Sequence, residues 1–386
     1  MQFTQTQITE ILSDLAKSEN GINAVLKIAM EALMKSERTV HNETHKDLSN
    51  GFRTRRAYGD KETIELRVPR TRSGAFYPII LGMLKNQEAE ARAISFSLYK
   101  NGLTTAQVGE VFEEIYGKKY STSQVSRMFD SARAEVKKWL ERPVESYYPI
   151  IYIDATFIPT RRVDSVTKEA YYTLLAVRPD RTREVLGIYN FATEGASLWE
   201  DIFEDLKARG LRKVDLFVSD SLTGIEDVIW KNFNQAEVQL CVVHLQRNIL
   251  KHARPKDKAN MAEDFRAVFR TDDPNDSKKQ IKHRFKVFIE QWGEIYPSLL
   301  KYLNNKRMDL YYTYIGFDYR IRSMIYTTNW IERLNRDFKR TTRMRGALPT
   351  PEATILLLAG VAMTKTSYER KVPKLNYETN KFQWED

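Results

Sequence analysis

Three acidic residues stand where a nuclease would need them: Asp154, Asp220 and Glu332. Asp154 follows the apolar run 150–153, Asp220 ends the apolar run 214–219, and Glu332 lies at the start of a basic helix. Carboxylates that two strand ends and a helix bring to one point hold two divalent ions about 3.5–4 Å apart. In a chain of net charge +10, this pattern indicates phosphodiester chemistry on a nucleic acid.

Each acid also has a purely structural interpretation. An aspartate often ends a strand within a turn. Asn329 and Glu332 have the spacing of a helix capping box, in which the glutamate bonds back to the helix N-terminus. A carboxylate used in this way would not be available to a metal ion, so the residues around each acid leave both interpretations open.

Two further motifs lie close to these acids in the sequence. Cys241 and His244 have the spacing of half a zinc site, but the chain has one cysteine and its other histidines form no partner cluster. We therefore expect a buried thiol on a strand and a histidine just past its end. After Glu332 comes a basic run that is either a solvated face or a phosphate contact; it comprises Arg333, Arg336, Lys339, Arg340, Arg343 and Arg345.

Composition narrows the class of protein. The 386 residues allow two or three domains, and 20 Tyr with 18 Phe argue against disorder. An excess of 61 basic over 51 acidic residues favours a polyanionic partner. A single cysteine excludes an intrachain disulfide and favours a reducing compartment. Without a signal peptide or an apolar run of about 18 residues, we expect a cytoplasmic protein with no membrane partner.

The first third of the chain has the pattern of a DNA-binding region. Residues 5–37 predict two short amphipathic helices broken at an Asn-Gly pair, and residues 51–70 predict an arginine-rich β-hairpin with a Gly-Asp turn. The hairpin arginines face either phosphates or solvent. Within 103–138, capping-box spacings start two helices, Thr104 with Gln107 and Ser121 with Gln124. Such a pair is typical of a helix-turn-helix, although many buried helix pairs look alike.

From residue 149 the pattern changes to that of an α/β domain. Three strands (150–158, 170–177 and 184–191) precede an alternation of helix and strand that places strands at 214–219 and 237–243 and helices at about 197–209 and 224–233. This is the order of the ribonuclease H fold. Residues 249–326 are instead helical and charged. We therefore predict a mixed sheet that an all-helical insertion interrupts before the helix carrying Glu332.

The ordered set of motifs resembles the signature blocks of bacterial Mutator-type transposases, the family of the insertion sequence IS256. The resemblance covers about residues 50–362, and its main blocks are 153–156, Ser219-Asp220 with Gly224, Cys241 with His244, Arg247 and Asn248, 327–329 with Glu332 and Asn335, and 346–349. Two positions depart from the family pattern. Pro159 stands where a lysine is usual, and Ser221 replaces a common glycine.

The resemblance implies roles for particular residues. Asp154, Asp220 and Glu332 would form a DDE triad holding two Mg²⁺ ions, for which Mn²⁺ would substitute. Residues near the active site would be Cys241, His244, Arg247, Asn248 and Asn335. A tryptophan of the insertion would handle DNA, with Trp292 the better match and Trp330 its competitor, and a core role is the alternative for either. The predicted DNA contacts are Arg53, Arg55, Arg56, Ser123, Gln124, Arg127, Arg161, Trp292, Arg336, Lys339, Arg340 and Arg343.

The function that follows is that of a transposase, which would bind the terminal inverted repeats of its element and catalyse DNA cleavage and strand transfer. Its expected partners are double-stranded DNA, as transposon ends and target, and a second copy in a homodimer. We expect a bacterial, nucleoid-associated enzyme. Two rivals remain, a DNA-binding regulator on an inactive nuclease scaffold and a host resolvase or ribonuclease.

The predicted domains follow the same order along the chain. They are a helical segment for pairing at 1–50, a DNA-binding region at 51–145, the first part of the catalytic core at 146–248, the helical insertion at 249–326, the last core helices at 327–365 and a tail at 366–386.

Overall fold

The computed structural model describes Thr9, Ser13 and residues 21–59, 62–116, 120–162, 165–191, 196–222 and 224–372. The chain divides into two compact units, Met1–Glu135 and Val136–Asp386. They are called the N-terminal and the C-terminal unit below. The three acids belong to the C-terminal unit.

In the N-terminal unit a long helix packs on a two-stranded antiparallel hairpin. The elements are α1 Gly21–His45, β1 Ser49–Tyr58 and β2 Thr63–Thr71. Alternate residues of the second strand turn inwards against α1, as the period of a strand requires: they are Ile64, Leu66 and Val68. The hairpin is confirmed, although Asp60 of its predicted turn lies outside the described residues. Helix α1 continues past its predicted end at 37, and most of the first predicted helix also lies outside the described residues.

Four further helices follow in sequence: α2 Ile79–Lys100, α3 Thr105–Tyr116, α4 Thr122–Met128 and α5 Asp130–Leu140. Both predicted capping boxes are confirmed. Thr104 N–H donates to Gln107 Oε1 at 2.9 Å while Gln107 N–H donates to Thr104 Oγ1 at 3.2 Å, and Ser121 with Gln124 does the same. Buried apolar residues join the helices: Val108, Phe112, Val125 and Phe129.

A mixed five-stranded sheet with the order β5-β4-β3-β6-β7 organises the C-terminal unit, as predicted. Its strands are β3 Tyr147–Arg162, β4 Ser165–Val177, β5 Arg183–Asn190, β6 Lys213–Ser219 and β7 Glu237–Leu240. The first three are antiparallel neighbours, whereas β6 runs parallel to β3 and β7 parallel to β6. Strand β3 is nearly continuously apolar at its start because helices cover a central strand on both faces.

Helices surround this sheet and fill the segment between β7 and the Glu332 helix. They are α6 Ala196–Ala208, α7 Ile225–Asn232, α8 Val242–Ile249, α9 Lys258–Val268, α10 Lys278–Ile295, α11 Pro297–Asn304, α12 Tyr319–Ile325, α13 Asn329–Thr342 and α14 Pro351–Met363. From α9 to α12 the described chain is helical or irregular, as predicted. The buried Gln239 of β7 ties this segment to the sheet, because its amide accepts from Tyr314 N–H at 2.6 Å and donates to Tyr311 O at 3.2 Å. None of the described helices combines the length and apolar character needed to cross a membrane.

Candidate active site

Strand register brings Asp154 and Asp220 together. Strand β3 pairs in parallel with β6 as far as Ile153 opposite Ser219, so the next residue on each side is an aspartate. Strand β6 ends there, whereas β3 continues to Arg162 through its antiparallel pairing with β4. The expectation that a strand end delivers Asp154 is therefore wrong, whereas the predicted strand 150–158 does continue past it. Asp154 instead comes directly after the last parallel pair of β3 and β6. Asp154 and Asp220 therefore lie side by side at the carboxyl end of this pairing.

Asp154 is a buried carboxylate, with 8% of its surface exposed. Its oxygens accept from Ala155 N–H at 2.8 Å and from Asn335 Nδ2 at 2.7 Å. Burial raises the pKa of Asp154 to about 6, and the negative charge of Asp220 acts in the same direction. The folded chain therefore holds an Asp154 carboxylate at neutral pH against a desolvation cost, and a nearby cation would offset that cost.

His244 lies between the other two acids. Its Nδ1 is 3.7 Å from Asp220 Oδ1, and its Nε2 is 3.6 Å from Glu332 Oε1. Arg247 Nη1 is 3.3 Å from the same Glu332 oxygen. Asp220 and Glu332 thus approach one imidazole from a strand end and a helix, while Asp154 lies beside Asp220 at the end of the parallel β3–β6 pairing.

The imidazole is cationic near neutral pH. A hydrogen bond with Cys241 raises the pKa of His244 to about 9, and the negative charges of Asp220 and Asp154 act in the same direction. Burial by itself would raise the pKa of the Cys241 thiol, but the hydrogen bond and charge of His244 outweigh it and the pKa is lowered. His244 therefore supplies positive charge where the three carboxylates meet.

The chain leaves the sheet at Cys241. Strand β7 ends at Leu240, and Cys241 is the N-cap of α8, so the prediction of a strand to residue 243 is wrong. Cys241 N–H donates to Ser219 O at 2.8 Å, and its sulfur accepts from Thr328 N–H at 3.4 Å. These bonds fix the first turn of α8, which carries His244, beside the end of β6.

Glu332 does not cap its helix. The N-cap of α13 is Thr328 and no side chain makes a capping bond there. The residue in the third helical position is then Ile331, so the Asn329 and Glu332 spacing is out of phase with the helix start. The capping alternative is wrong, and the Glu332 carboxylate instead contacts His244 and Arg247.

Helix α13 carries basic side chains as well as Glu332. Residues three and four apart share a helical face, which groups Glu332 with Asn335 on the inner side. The basic residues of this stretch are exposed: Arg336, Lys339, Arg340 and Arg343. A basic exposed surface therefore begins directly beside the three acids.

Two predicted DNA contacts in this unit have different surroundings. Arg161 is exposed near the end of β3, and its backbone N–H donates to Leu348 O at 2.9 Å. Trp292 is only 5% exposed. Its Nε1 donates to Asp264 Oδ2 at 2.9 Å, and its ring stacks on Tyr296 with centroids 6.3 Å apart. These are the surroundings of a core residue, the alternative role for Trp292, and its DNA contact stays a prediction.

The other predicted DNA contacts lie in the N-terminal unit. Arg53 is exposed on β1, while Arg56 forms an exposed ion pair with Glu65 at 3.2 Å. Arg55 is partly buried and pairs with Glu88 at 3.3 Å. On α4, Ser123 and Arg127 are exposed, whereas the Gln124 side chain is engaged in its capping box. Of these residues of the N-terminal unit, Arg53, Ser123 and Arg127 present polar groups to solvent.

The sequence matches one described family over nearly its full length. The family model for "Transposase, Mutator family" matches residues 2–370. The chain belongs to the Mutator family of transposases. It is 31% identical to a probable transposase for insertion sequence element ISRM3-like of Sinorhizobium fredii, over 94% of this chain and 89% of that protein. The resemblance stated from the motifs is thereby confirmed.

Other transposases are also similar in sequence to this chain over most of its length. The IS905 transposase of Lactococcus lactis is 28% identical over 91% of this chain and 86% of its own. The transposase of IS256 in transposon Tn4001 of Staphylococcus aureus is 28% identical over 92% and 93%. A solved Drosophila P element transposase strand transfer complex aligns over 78% of this chain and 95% of its own, with 10% identity and a TM-score of 0.36, a likeness too distant to bear on the fold.

The sequence did not reveal a cation that this transposase places beside Asp220. Lys306, in the segment after α11, donates from Nζ to Ser221 Oγ at 3.2 Å and lies 5.3 Å from the centre of the Tyr302 ring. Ser221 N–H in turn donates to Asp220 Oδ1 at 2.8 Å. The departure from the family's glycine at Ser221 was the one available signal, because Lys306 lies 85 residues away in sequence.

The donor atoms around these acids suit a hard cation. Within the described residues, no three or more His, Cys, Asp or Glu side chains are already grouped as a metal site. Asn335, whose Nδ2 donates to Asp154, nevertheless has a buried Oδ1 without a hydrogen-bond partner. Carboxylate and amide oxygens are ligands that Mg²⁺ accepts. The chemistry of these donors therefore fits Mg²⁺, and a metal at this point would compete with His244 for Asp220 and Glu332.

Proposed function

We propose that this transposase cleaves DNA at the ends of its element and transfers the resulting strand ends to target DNA, using a DDE triad in a ribonuclease H-like core. The triad consists of Asp154, Asp220 and Glu332. The observation that carries the proposal is that Asp154 and Asp220 follow the last residue pair of β3 and β6, and that His244 lies between Asp220 and Glu332.

The proposed site would hold two Mg²⁺ ions, or Mn²⁺ in their place, through the three triad carboxylates, with Asn335 Oδ1 nearby. When bound, such ions activate an attacking oxygen and stabilise the leaving oxygen. The chain's own residues prepare the carboxylates. Asn335 orients Asp154, while His244 and Arg247 hold Glu332 towards the other acids and offset their mutual repulsion.

DNA binding would be divided between the two units. The exposed cations of α13 are placed to contact backbone phosphates, which fix position without reading sequence. In the N-terminal unit, α3 and α4 would act as a helix-turn-helix, with Ser123 and Arg127 directed at base edges. Two transposon ends must be held together, so we propose a homodimer on DNA, with residues 1–50 as the candidate for pairing.

Cleavage of labelled transposon-end DNA with Mg²⁺ or Mn²⁺ tests this function. We expect Glu332→Gln to reduce cleavage by more than about 100-fold, because even outer partners of a metal site contribute about 10–100-fold. Glu294→Gln is the matched control, since it changes an exposed glutamate of the insertion and should leave cleavage intact.

The outcomes separate the rival functions. Cleavage that persists in Glu332→Gln would refute the triad assignment. Tight, sequence-specific binding by a wild-type chain that cuts no DNA would favour a regulator on an inactive scaffold. Preferred cleavage of branched DNA or of RNA within a hybrid would favour a resolvase or a ribonuclease.

The helix-turn-helix proposal makes a separate prediction. We expect Arg127→Ala to reduce discrimination between the transposon end and unrelated DNA by about 1–3 kcal/mol, because a base-edge contact is lost. Binding titrations on both duplexes at the same salt concentration measure this difference, with Arg92→Ala on α2 as the control for an exposed arginine. Equal weakening on both duplexes would mean that Arg127 contacts phosphate, and unchanged binding would contradict the role of α4.

A further inference from the structure

A basic pocket lies on the face of α13 opposite Glu332. Trp330, Arg333 and Asp337 recur at helical spacing and, at about 100° per residue, point away from Glu332. Together with neighbouring segments they line a cavity of about 250 Å³. At about 30 Å³ per water molecule, this volume has room for a hydrated anionic group.

The pocket carries an excess of positive charge. Four cationic side chains and one carboxylate are among the residues that line it, and the cations are Arg183, Arg333, Lys365 and Arg370. Asp337 forms an ion pair with Lys365, so the lining provides no further carboxylate for Arg333 and Arg370. Burial lowers the pKa of Arg183, and the positive charge of Arg333 acts in the same direction. An anion in the pocket would relieve this repulsion.

Aromatic rings fix the guanidinium groups in place. The Arg183 Cζ atom is 4.5 Å from the centre of the Trp330 ring and 5.2 Å from that of Tyr368. Arg333 Cζ lies 5.7 Å from the same Trp330 ring. Guanidinium groups held in this way lose little freedom when they bind a phosphate, which their fork geometry matches.

A structural role explains only part of this arrangement. Arg183 ties the C-terminal segment to the sheet, with Nη2 3.5 Å from Arg370 O, and Val372 N–H donates to Arg181 O at 2.9 Å. A clamp of this kind needs Arg183 and its two rings. It does not need the further positive charges of Arg333 and Arg370 around the same cavity.

We propose that this pocket binds a backbone phosphate of duplex DNA, as a second contact distinct from the triad and from the exposed basic face of α13. The proposal rests on the proposed function, which makes DNA the substrate. Because the pocket lies on the opposite side of α13 from Glu332, the phosphate would belong to DNA that flanks the scissile position or to target DNA. The contact would also fix the helix that carries Glu332.

Salt-dependent binding of the full chain to a duplex unrelated to the transposon ends tests this proposal. For duplex DNA the slope of log K against log salt is about −0.9 per phosphate contact. We expect the double variant Arg333→Gln with Arg370→Gln to have a slope smaller in magnitude by about 0.9. Lys371→Gln is the matched control, because it removes one exposed charge next to Arg370 outside the pocket lining, and it should keep the wild-type slope.

Three further outcomes decide the proposal. An unchanged slope in the double variant, with wild-type binding intact, would overturn the pocket and leave the triad assignment standing. Absence of any duplex binding by the wild type would overturn the proposed function together with the pocket. Protection of the wild type against thermal unfolding by dAMP, lost in the double variant without a change in DNA slope, would assign the pocket to a free nucleotide and overturn the DNA contact.

The salt slope of the double variant can be compared with that of the wild type only if the variant is folded. Thermal unfolding of the variants provides this check. Arg333→Lys offers a second measurement, because it keeps the charge and the salt slope while losing the bidentate geometry, so we expect weaker binding with an unchanged slope. Loss of slope in Arg333→Lys would contradict a charge-based phosphate contact.

Discussion

Replacing Asp154 with asparagine is expected to abolish DNA cleavage and, at the same time, to stabilise the metal-free protein at neutral pH. Cleavage is lost because an amide cannot replace a carboxylate that holds a divalent cation. Stability rises because burial holds the pKa of Asp154 at about 6 against an ordinary value of 3.8. That difference corresponds to at most about 3 kcal/mol at neutral pH.

The pH dependence of this effect has a definite sign. Since the folded-state pKa of Asp154 lies above its unfolded value, the folded protein binds more protons between pH 3.8 and about 6. Asp154 therefore destabilises the wild-type fold most above about pH 6, and this destabilisation shrinks as pH falls through that value. The stability gain of Asp154→Asn should accordingly be largest above that pH and shrink below it.

Thermal and denaturant unfolding in the presence of a chelator, from acid to neutral pH, measures this gain. The new amide can be accommodated, because Asn335 Oδ1 is buried without a hydrogen-bond partner and can accept from it once the Asn335 amide rotates. Asp220→Asn is the control. Its side chain is 33% exposed, so cleavage should be lost without a comparable gain. Equal stability of Asp154→Asn and wild type at neutral pH would contradict the desolvation argument.

Replacing Trp292 with alanine is expected to destabilise the helical insertion by about 3–5 kcal/mol, the usual cost of removing a large buried aromatic side chain. The residue is 5% exposed, and its Nε1 donates to Asp264. Trp292→Phe keeps much of the packing and removes the hydrogen bond, so a loss of about 1 kcal/mol is expected for the bond itself.

Two measurements on both variants distinguish a core role from a DNA-binding role. One is denaturant unfolding, and the other is the affinity of the folded protein for DNA. A core residue lowers stability and leaves the affinity of the folded protein for transposon-end DNA unchanged. If Trp292→Ala instead retains wild-type stability but loses end binding or cleavage, the role in DNA handling that the family resemblance implied would be supported.

Local chemistry explains which features the sequence predicted well. The capping boxes at Thr104 and Ser121 depend on residues three apart, so their side chains identify helix starts without further context. The apolar run before Asp154 and the one before Asp220 likewise identify buried strands. Membership in the Mutator family follows from ordered motifs, which remain visible at 31% identity.

The three acids, the mixed sheet and the helical interruption could all be predicted from residues close together in the chain. How the acids meet depends on the folded structure, because those contacts join residues far apart in the chain. The pairing of Ile153 with Ser219 aligns the aspartates, and the bond from Thr328 to Cys241 places His244 between Asp220 and Glu332. Whether Glu332 capped its helix depended on where that helix began. The helix starts one residue earlier than the Asn329 and Glu332 spacing requires, with Thr328 as its N-cap, and the carboxylate contacts His244 and Arg247 instead of the helix N-terminus.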